Sequence, residues 1–245
     1  MSLAQQCEHS CYVRLLNTLK DEDRLRLLAN SCPTQTWVTA LPLAFKSWNL
    51  SSRGWLIGSR RRLGLDVRTR RTRCSNCRFF EIGLKGDHAL SCPGKMGSKM
   101  RHDAVKHVVA RAFKQAGFEV RLEQGGVLLD NRRPGDVEVR DWVIVSNWNN
   151  DTALSIDVAI IDATGDYHSG FQREEGAGAA ATKYEKRKIN TYKDIKGEFI
   201  PFILEAQGGF GHQAKKLVRE LEKRRKEENA YPTPAVLKGF NQLVV

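Results

Sequence analysis

Apolar residues in the second half of the chain change between helical and strand-like spacing. Between His102 and Ala116 they recur every three or four positions, which predicts an amphipathic helix that Gly117 ends. The runs that follow predict strands at Phe118–Glu123, Asp136–Val145 and Leu154–Ile161, a helix at Glu174–Ile195, a strand at Phe199–Ala206 and a helix at Gly211–Glu228. Neighbouring strands followed by a helical crossover and a further strand predict an α/β core, in which helices flank a mixed four-stranded sheet.

The first part of the chain predicts a separate helical region. Leucine and valine spacing from Cys11 to Leu28 favours one or two amphipathic helices, with an interruption near Asp21–Asp23. We divide the chain into a helical accessory region at residues 1–65, an arginine-rich zinc knuckle at 66–100 and the α/β core at 101–245.

Basic residues strongly outnumber acidic ones. The chain has 40 Lys and Arg against 28 Asp and Glu, a formal net charge of +12. This excess predicts a polyanionic partner, most simply nucleic acid, with a membrane surface as the alternative. No apolar run reaches the roughly 18 residues that a membrane span needs, so no transmembrane segment is predicted.

Arginines are concentrated before and within the knuckle. Nine arginines and no lysine lie between Arg53 and Arg78, against one acid, Asp66. The planar guanidinium binds phosphate through two hydrogen bonds, which favours contact with a DNA or RNA backbone over a flexible basic linker. The candidate contact residues are Arg60, Arg61, Arg62, Arg70, Arg71 and Arg73.

Four residues have the spacing of a zinc site. Cys74, Cys77, His88 and Cys92 form a Cys-x2-Cys-x10-His-x3-Cys pattern, and thiolates with an imidazole are ligands that tetrahedral zinc prefers. With all four positions filled by protein, we expect a structural ion. The other cysteines, Cys7, Cys11 and Cys32, have unspecific spacing and are interpreted as buried residues, with a second metal site as the alternative.

Two aspartates interrupt strand-like runs. Asp136 opens one predicted strand and Asp157 lies inside the next, so hairpin pairing would bring them side by side. A carboxylate among Ile and Val is costly to bury unless a cation meets it. The pair therefore predicts a site for Mg²⁺ or Mn²⁺, ions that bind oxygen ligands and activate phosphodiesters.

A lysine on the following helix is predicted to face this site. Ala181, Tyr184, Lys188 and Tyr192 form one stripe of the helix, which is apolar or aromatic except at Lys188. The alternative is a lysine that reaches solvent from the edge of the core.

Further polar candidates lie at the ends of predicted elements. Asp103 is expected to cap the first core helix, whereas Arg101 and His102 have no such structural reason. Glu205 ends the fourth strand just before two glycines and is a secondary candidate for a ligand.

Together these motifs resemble a known class of nucleases. They are Cys74, Cys77, His88 and Cys92, then Arg101-His102-Asp103, Pro134-Gly135-Asp136, Asp157, and Lys188 with Tyr192. In this order they resemble the PD-(D/E)XK restriction-like endonucleases, especially the endonuclease region that follows the reverse transcriptase in site-specific non-LTR retrotransposons. The resemblance extends from about Trp37 to Gly211. The chain departs from the pattern by a glycine before Asp136, by a longer stretch at Trp142–Asn150, and by Ala159 in place of the usual lysine.

The resemblance implies a restriction-endonuclease-like fold and a metal-dependent DNA endonuclease. Asp136 and Asp157 would hold Mg²⁺ or Mn²⁺, and the catalytic set would include these two aspartates, Lys188 and His102. Glu205, a candidate from its position alone, would be a further member of the catalytic set or would only pair with a basic helix. Arg101 and Tyr192 would contact DNA. The resemblance also implies association with a larger protein that contains a reverse transcriptase. The alternatives are a catalytically inactive, zinc-containing nucleic-acid-binding module used for target recognition, and an RNA-binding factor. Basic runs at Arg60–Arg62 and Lys223–Lys226 are candidate import signals, so we expect an intracellular, nuclear location.

Overall fold

A computed structural model of the protein describes residues 3–30, 51–92, 94–123, 135–139, 154–164, 176–193 and 198–227. Its helices are α1 (Leu3–Thr18), α2 (Asp21–Asn30), α3 (Ser52–Arg62), α4 (His88–Ser91), α5 (Lys95–Gln115), α6 (Ala179–Thr191) and α7 (His212–Glu227). Its strands are β1 (Thr72–Arg73), β2 (Glu81–Ile82), β3 (Val120–Leu122), β4 (Val137–Val139), β5 (Leu154–Ile161) and β6 (Glu198–Glu205). Within these ranges no helix is long and apolar enough to cross a membrane.

The mixed four-stranded sheet predicted from the sequence is confirmed, with the strand order β3-β4-β5-β6. The first three strands pair antiparallel, whereas β5 and β6 pair in parallel, from Leu154 opposite Glu198 to Ile161 opposite Glu205. Parallel neighbours need a crossover connection, and α6 lies within it. Both strands are rich in Ile, Leu, Val and Phe, as is typical of strands that are covered on both faces.

The two faces of the sheet pack against different helices. Ile156 and Val158 of β5 belong to a core shared with α5 and α7, whereas Ile161 packs against the start of α6. Each fully buried side chain of this size stabilises the fold by about 1.5 to 3 kcal/mol. Because side chains alternate along a strand, Asp157 projects from the face of the sheet that α6 covers.

The ends of two helices differ from the sequence prediction. α5 begins at Lys95, so Asp103 lies in its third turn and the prediction that it caps the helix is wrong. The early turns of α5 are largely exposed and carry no apolar stripe, so hydrophobic periodicity did not reveal them. The interruption between α1 and α2 lies at Leu19 and Lys20, slightly before its predicted place. Residues 140–145 of the predicted second strand lie outside the described ranges.

Ion pairs at Asp87 attach the N-terminal helices to the knuckle. Arg26 of α2 donates to both carboxylate oxygens, at 2.8 and 3.1 Å, and Arg61 of α3 donates to one of them at 3.2 Å. Burial raises the pKa of Asp87, but the two guanidinium groups outweigh it and hold that pKa below its ordinary value. Since Asp87 directly precedes His88, both helices are anchored beside a predicted zinc ligand.

The buried side chain of Glu205 caps the N-terminus of α6. Its carboxylate accepts hydrogen bonds from the backbone N–H groups of Gly178 at 3.0 Å and Ala181 at 3.3 Å. A negative group at this position satisfies helix donors that have no partner within the helix and complements the helix dipole. A Cβ atom on Gly209 would lie 2.2 Å from Glu205 Oε2, so the glycine leaves room for the carboxylate.

Glu185 of α6 repeats this arrangement at the N-terminus of α7. It accepts hydrogen bonds from the backbone N–H groups of Gln213 and Ala214, each at 3.0 Å. A Cβ atom on Gly211 would lie 2.1 Å from Glu185 Oε1. Burial raises the pKa of Glu185 to about 7 despite the hydrogen bonds.

This raised pKa predicts a change of stability with pH. The ordinary value for Glu185 is 4.5, so its contribution to stability is fully present below that pH and is lost as the pH rises through about 7. From this group alone we expect the free energy of unfolding to fall by up to about 3 kcal/mol over that interval. Glu185→Gln removes the titration, so urea unfolding should show a flatter pH dependence for the variant.

The control for this experiment is Glu8→Gln, which changes an exposed glutamate of α1. It should retain the pH dependence of the unmodified protein. If the unfolding free energies of Glu185→Gln and the unmodified protein ran parallel with pH, the assignment to Glu185 would be wrong.

Candidate functional site

Three thiols and one imidazole converge in the knuckle. The ligand atoms of Cys74, Cys77, His88 and Cys92 all lie within 4.8 Å of one another. The sulfurs of Cys74 and Cys92 are 3.7 Å apart, and Cys77 Sγ lies 3.2 Å from His88 Nε2. Zn–S bonds of about 2.3 Å at tetrahedral angles separate two sulfurs by about 3.8 Å. The cluster could therefore bind a structural metal ion such as zinc.

A short hairpin and one helical turn bring these ligands together. Strands β1 and β2 pair antiparallel, and in the loop between them the N–H of Arg78 donates to the carbonyl of Cys74 at 2.9 Å. Arg78 has a φ of 61°, a left-handed conformation that turns the chain directly after Cys77. His88 begins α4 and Cys92 follows its last residue, so one helical turn presents the second pair.

The surroundings of Cys74 and Cys92 shift the pKa values of the two thiols in opposite directions. A hydrogen bond from the backbone N–H of Cys77 is the main cause that lowers the pKa of the Cys74 thiol, to about 6. Burial raises the pKa of Cys92. Zinc binds the thiolate form, so the low pKa of Cys74 favours metal binding near neutral pH.

A second cluster forms where β4 meets β5. Val137 lies opposite Ile156 in the ladder; Asp136 directly precedes Val137 in a bend before β4, and Asp157 directly follows Ile156. The N–H of Asp136 donates to the carbonyl of Ile156 at 2.8 Å, one residue out of the ladder register, and Asp136 Oδ2 accepts the N–H of Val158 at 2.8 Å. These hydrogen bonds to the residues on either side of Asp157 hold the two aspartates next to each other.

Close approach of the strands explains the glycine before Asp136. A Cβ atom on Gly135 would lie 2.7 Å from the carbonyl oxygen of Ile156, which no larger residue could accept without moving β5. The departure from the expected motif thus has a structural reason. Pro134 lies outside the described residues.

His102 of α5 holds one oxygen of Asp136. Its Nε2 lies 3.0 Å from Asp136 Oδ2, and the same oxygen accepts the N–H of Val158 at 2.8 Å. Burial raises the pKa of Asp136, but these hydrogen bonds outweigh it and lower that pKa overall. The hydrogen bond to Asp136 in turn raises the pKa of His102. The two groups therefore stabilise each other in their charged forms.

Lys188 of α6 reaches the other aspartate. Its Nζ lies 2.9 Å from Asp157 Oδ2, so the lysine faces the site, in the direction predicted from the helical stripe. Burial raises the pKa of Asp157, and the ion pair with Lys188 offsets this only in part. The negative charge of Asp136 also raises the pKa of Asp157, which means that the two carboxylates repel each other.

Aromatic rings surround the ammonium group of Lys188. Its Nζ lies 5.9 Å from the ring centroid of Tyr184 and 5.7 Å from that of Tyr192, and the Tyr192 ring packs against Phe199 at 4.8 Å. Burial lowers the pKa of Lys188, but the hydrogen bond to Asp157 outweighs it and raises that pKa overall. The lysine is therefore positively charged at neutral pH.

The site extends to Asp103, which the sequence analysis assigned to a helix cap, and to Lys106, which it missed. Asp103 Oδ1 lies 3.3 Å from His102 Nδ1 and 3.0 Å from Lys106 Nζ, and Lys106 also pairs with Glu123. Lys106 is buried. It follows His102 by four positions, one turn of α5, so the stripe argument that selected Lys188 would also have selected it.

Glu205 lies apart from the aspartates. It is opposite Ile161, four residues beyond Asp157 along β5, a separation of about 13 Å. Its carboxylate binds the N-terminus of α6, which favours a structural role over the predicted catalytic one.

Arg101 is directed toward the knuckle. It donates from Nη1 to the carbonyl of Ala89 at 3.0 Å and from Nη2 to that of Leu90 at 2.8 Å, both in α4. Arg101 therefore ties the helical turn that begins at His88 to the helix that carries His102. Its predicted contact with DNA stays a prediction.

The other predicted phosphate-binding arginines fall into two groups. Arg60 and Arg61 donate to backbone oxygens, of Asp66 at 2.6 Å and of Lys85 at 2.8 Å, and Arg62 is half-buried. The side chains in the second group are exposed to solvent, and they are Arg70, Arg71 and Arg73.

Two of the remaining cysteines are also exposed. Cys7 and Cys11 lie on the surface of α1, so the expectation that they are buried is wrong. The exposed helix does not bury the face on which they lie. Cys32 lies outside the described residues, and within them the knuckle ligands form the one cluster suited to a metal of this kind.

Loss of a knuckle thiol should remove the metal. We expect the purified protein to hold about one zinc ion per chain and Cys77→Ser to hold close to none after dialysis, because three ligands bind zinc far more weakly than four. Elemental analysis measures this directly. Cys7→Ser, a change at an exposed cysteine, is the matched control and should keep its zinc; equal zinc in both variants would contradict the assignment.

The sequence matches no protein-family model, and no curated protein matches it. The structure itself shows a mixed α/β fold whose four-stranded sheet is flanked by helices, with a Cys/His cluster that could bind zinc.

Proposed function

We propose that the protein is a divalent-metal-dependent DNA endonuclease that hydrolyses phosphodiester bonds. The observation that carries this proposal is the proximity of Asp136 to Asp157, through its hydrogen bonds to Ile156 and Val158, with Lys188 Nζ 2.9 Å from Asp157 Oδ2. Two carboxylates beside a cation provide oxygen ligands for a hard metal ion and a positive group for the phosphate. The net charge of +12 supports a polyanionic substrate.

The two aspartates fit Mg²⁺ or Mn²⁺. Burial, with a smaller contribution from the charge of Asp136, raises the pKa of Asp157, and a divalent ion between the two carboxylates would offset both. Such an ion, when bound, supplies the Lewis acidity that polarises a phosphodiester and lowers the pKa of a bound water. Asp136 is already oriented for this role, because His102 and the N–H of Val158 both hold its Oδ2.

Lys188 would act on the phosphate. Its raised pKa keeps it charged, and a partly buried ammonium interacts more strongly with the charge that develops on a phosphate oxygen than an exposed one would. The rings of Tyr184 and Tyr192 limit the positions that it can adopt. Lys188 would thus replace the lysine that the sequence lacks two residues after Asp157.

The knuckle would position the duplex. Zinc would fix the hairpin, and the exposed arginines Arg70, Arg71 and Arg73 would contact phosphates without reading sequence. Since Arg101 links α4 to α5, the DNA held there would stand in a set relation to the aspartates. From the resemblance, we propose that the substrate is nuclear DNA and that a reverse transcriptase acts with this domain.

Nicking of supercoiled plasmid DNA in Mg²⁺ or Mn²⁺ tests the proposal. Asp136→Ala and Asp157→Ala should abolish nicking because each removes an oxygen ligand. Lys188→Met should lower the rate about 100-fold or more, the effect expected when one charge-stabilising group is lost. The control is Lys114→Met, which changes an exposed lysine in the last turn of α5.

Zinc content and circular dichroism should be equal in all four variants, so that loss of activity is not loss of folding. If Asp136→Ala and Asp157→Ala nick DNA as fast as the unmodified protein, the site assignment is wrong.

A nucleic-acid-binding module without nuclease activity is the second candidate. One observation favours it: His102 already pairs with Asp136 and Lys188 with Asp157, so the charges are balanced by the protein itself. This candidate predicts salt-dependent DNA binding with no turnover in either metal. Calorimetric titration with Mn²⁺ separates the two, because only the nuclease should show binding that Asp157→Ala removes.

A further inference from the structure

The knuckle displays two phenylalanines at its surface. Phe79 is 86% exposed, the highest value among the large apolar side chains of the described residues, and the adjacent Phe80 is 56% exposed. A single exposed apolar residue needs no explanation, but two adjacent aromatic rings at the tip of a hairpin form an apolar surface that favours a partner.

The hairpin holds these rings in place. The N–H of Cys74 donates to the carbonyl of Phe80 at 2.8 Å, and the left-handed Arg78 directs the chain outward immediately before Phe79. The Phe80 ring packs against the imidazole of His88, with centroids 5.4 Å apart. Phe79 is therefore attached to a turn that the metal ligands on either side constrain, so binding to it costs little ordering entropy.

Charge identifies the kind of partner. Residues 70–82 contain four arginines and one acid, a net charge of 4 − 1 = +3. All four arginines are exposed, and Glu81, the acid, lies opposite Arg73 across the hairpin. An exposed apolar ring on a hairpin with four exposed arginines suits a polyanion that also offers flat apolar faces. Single-stranded nucleic acid has this chemistry, whereas an apolar protein surface would leave the arginines without counter-charges.

We propose that Phe79 stacks on an unpaired base of single-stranded DNA, while Arg70, Arg71 and Arg78 bind the flanking phosphates. A paired base within a duplex is covered on both faces by its neighbours, so only an unpaired base can offer a free face to the ring. The inference rests on the proposed function, since it takes DNA as the substrate, and it adds that the knuckle binds a melted or displaced strand.

Fluorescence anisotropy with the full chain tests this, without added divalent metal so that cleavage does not interfere. Three labelled probes are compared: a single-stranded DNA, a blunt-ended duplex of that strand with its complement, and an abasic strand that keeps the phosphates but lacks bases. Phe79→Ala should weaken binding of the single strand about five- to 160-fold, the range expected when a stacking aromatic is removed. Its affinity for the duplex and the abasic strand should not change.

Two further variants sharpen the comparison. Phe79→Trp keeps a stacking ring and should restore single-strand affinity. Leu15→Ala removes an exposed apolar side chain from α1 and should bind all three probes as the unmodified protein does. Phe79 is exposed, so its substitution should leave zinc content unchanged, and that measurement accompanies each titration.

The results separate this inference from the nuclease proposal. Equal single-strand affinity in Phe79→Ala and the unmodified protein would overturn the stacking role, and so would an equal loss on all three probes. A tenfold or greater preference for RNA of the same sequence would overturn the assignment to DNA. Phe79-dependent binding together with an absence of nicking in Mg²⁺ and Mn²⁺ would support stacking and reject the nuclease.

Discussion

The hydrogen bonds from the start of α6 to buried Glu205 determine where the proposed catalytic lysine lies. Glu205 ends β6, and its carboxylate binds the N–H groups of Gly178 and Ala181. These two hydrogen bonds fix both the axial position and the rotation of α6 relative to the sheet. Seven residues after Ala181, two helical turns along, Lys188 meets Asp157 on the neighbouring strand. The same helix then fixes α7 through Glu185. A residue remote from the aspartates thereby governs the geometry around them.

Charged side chains around Asp136 are arranged as alternating pairs. Along one line, Glu123, Lys106, Asp103, His102 and Asp136 follow one another with opposite signs when the histidine is protonated. Lys106 is the buried member of this line, and its burial without Asp103 and Glu123 would be costly because it would leave an uncompensated charge. The alternation also holds the imidazole between two carboxylates, which fixes its ring plane. A strongly basic chain thus uses part of its positive charge internally and leaves the arginines of the knuckle for solvent.

The sequence predicted the elements with strong periodicity and the residues whose chemistry conflicts with their surroundings. The mixed four-stranded sheet, the convergence of the knuckle ligands and the inward direction of Lys188 follow from spacing alone. Three features did not. The start of α5 carries no apolar stripe, so its N-terminal turns gave no signal. The role of Glu205 depends on how β6 meets α6, a tertiary contact that local sequence does not encode. Gly135 looked like an insertion within a motif, and only the backbone separation of β4 and β5 gives its reason.

Arg101 and His102 are consecutive residues whose side chains bind different parts of the protein. Arg101 binds the helical turn of the knuckle, and His102 binds an aspartate of the sheet. The side chains of successive helix residues point about 100° apart, so Arg101 can bind the knuckle while His102 binds the α/β core. The knuckle and the α/β core are therefore not interchangeable parts. A domain boundary drawn at residue 100 from sequence motifs would separate the knuckle from the arginine that anchors it. A chimaera that receives the knuckle of another protein with this architecture would keep the anchoring contact only if the first turns of α5 were transferred with the knuckle.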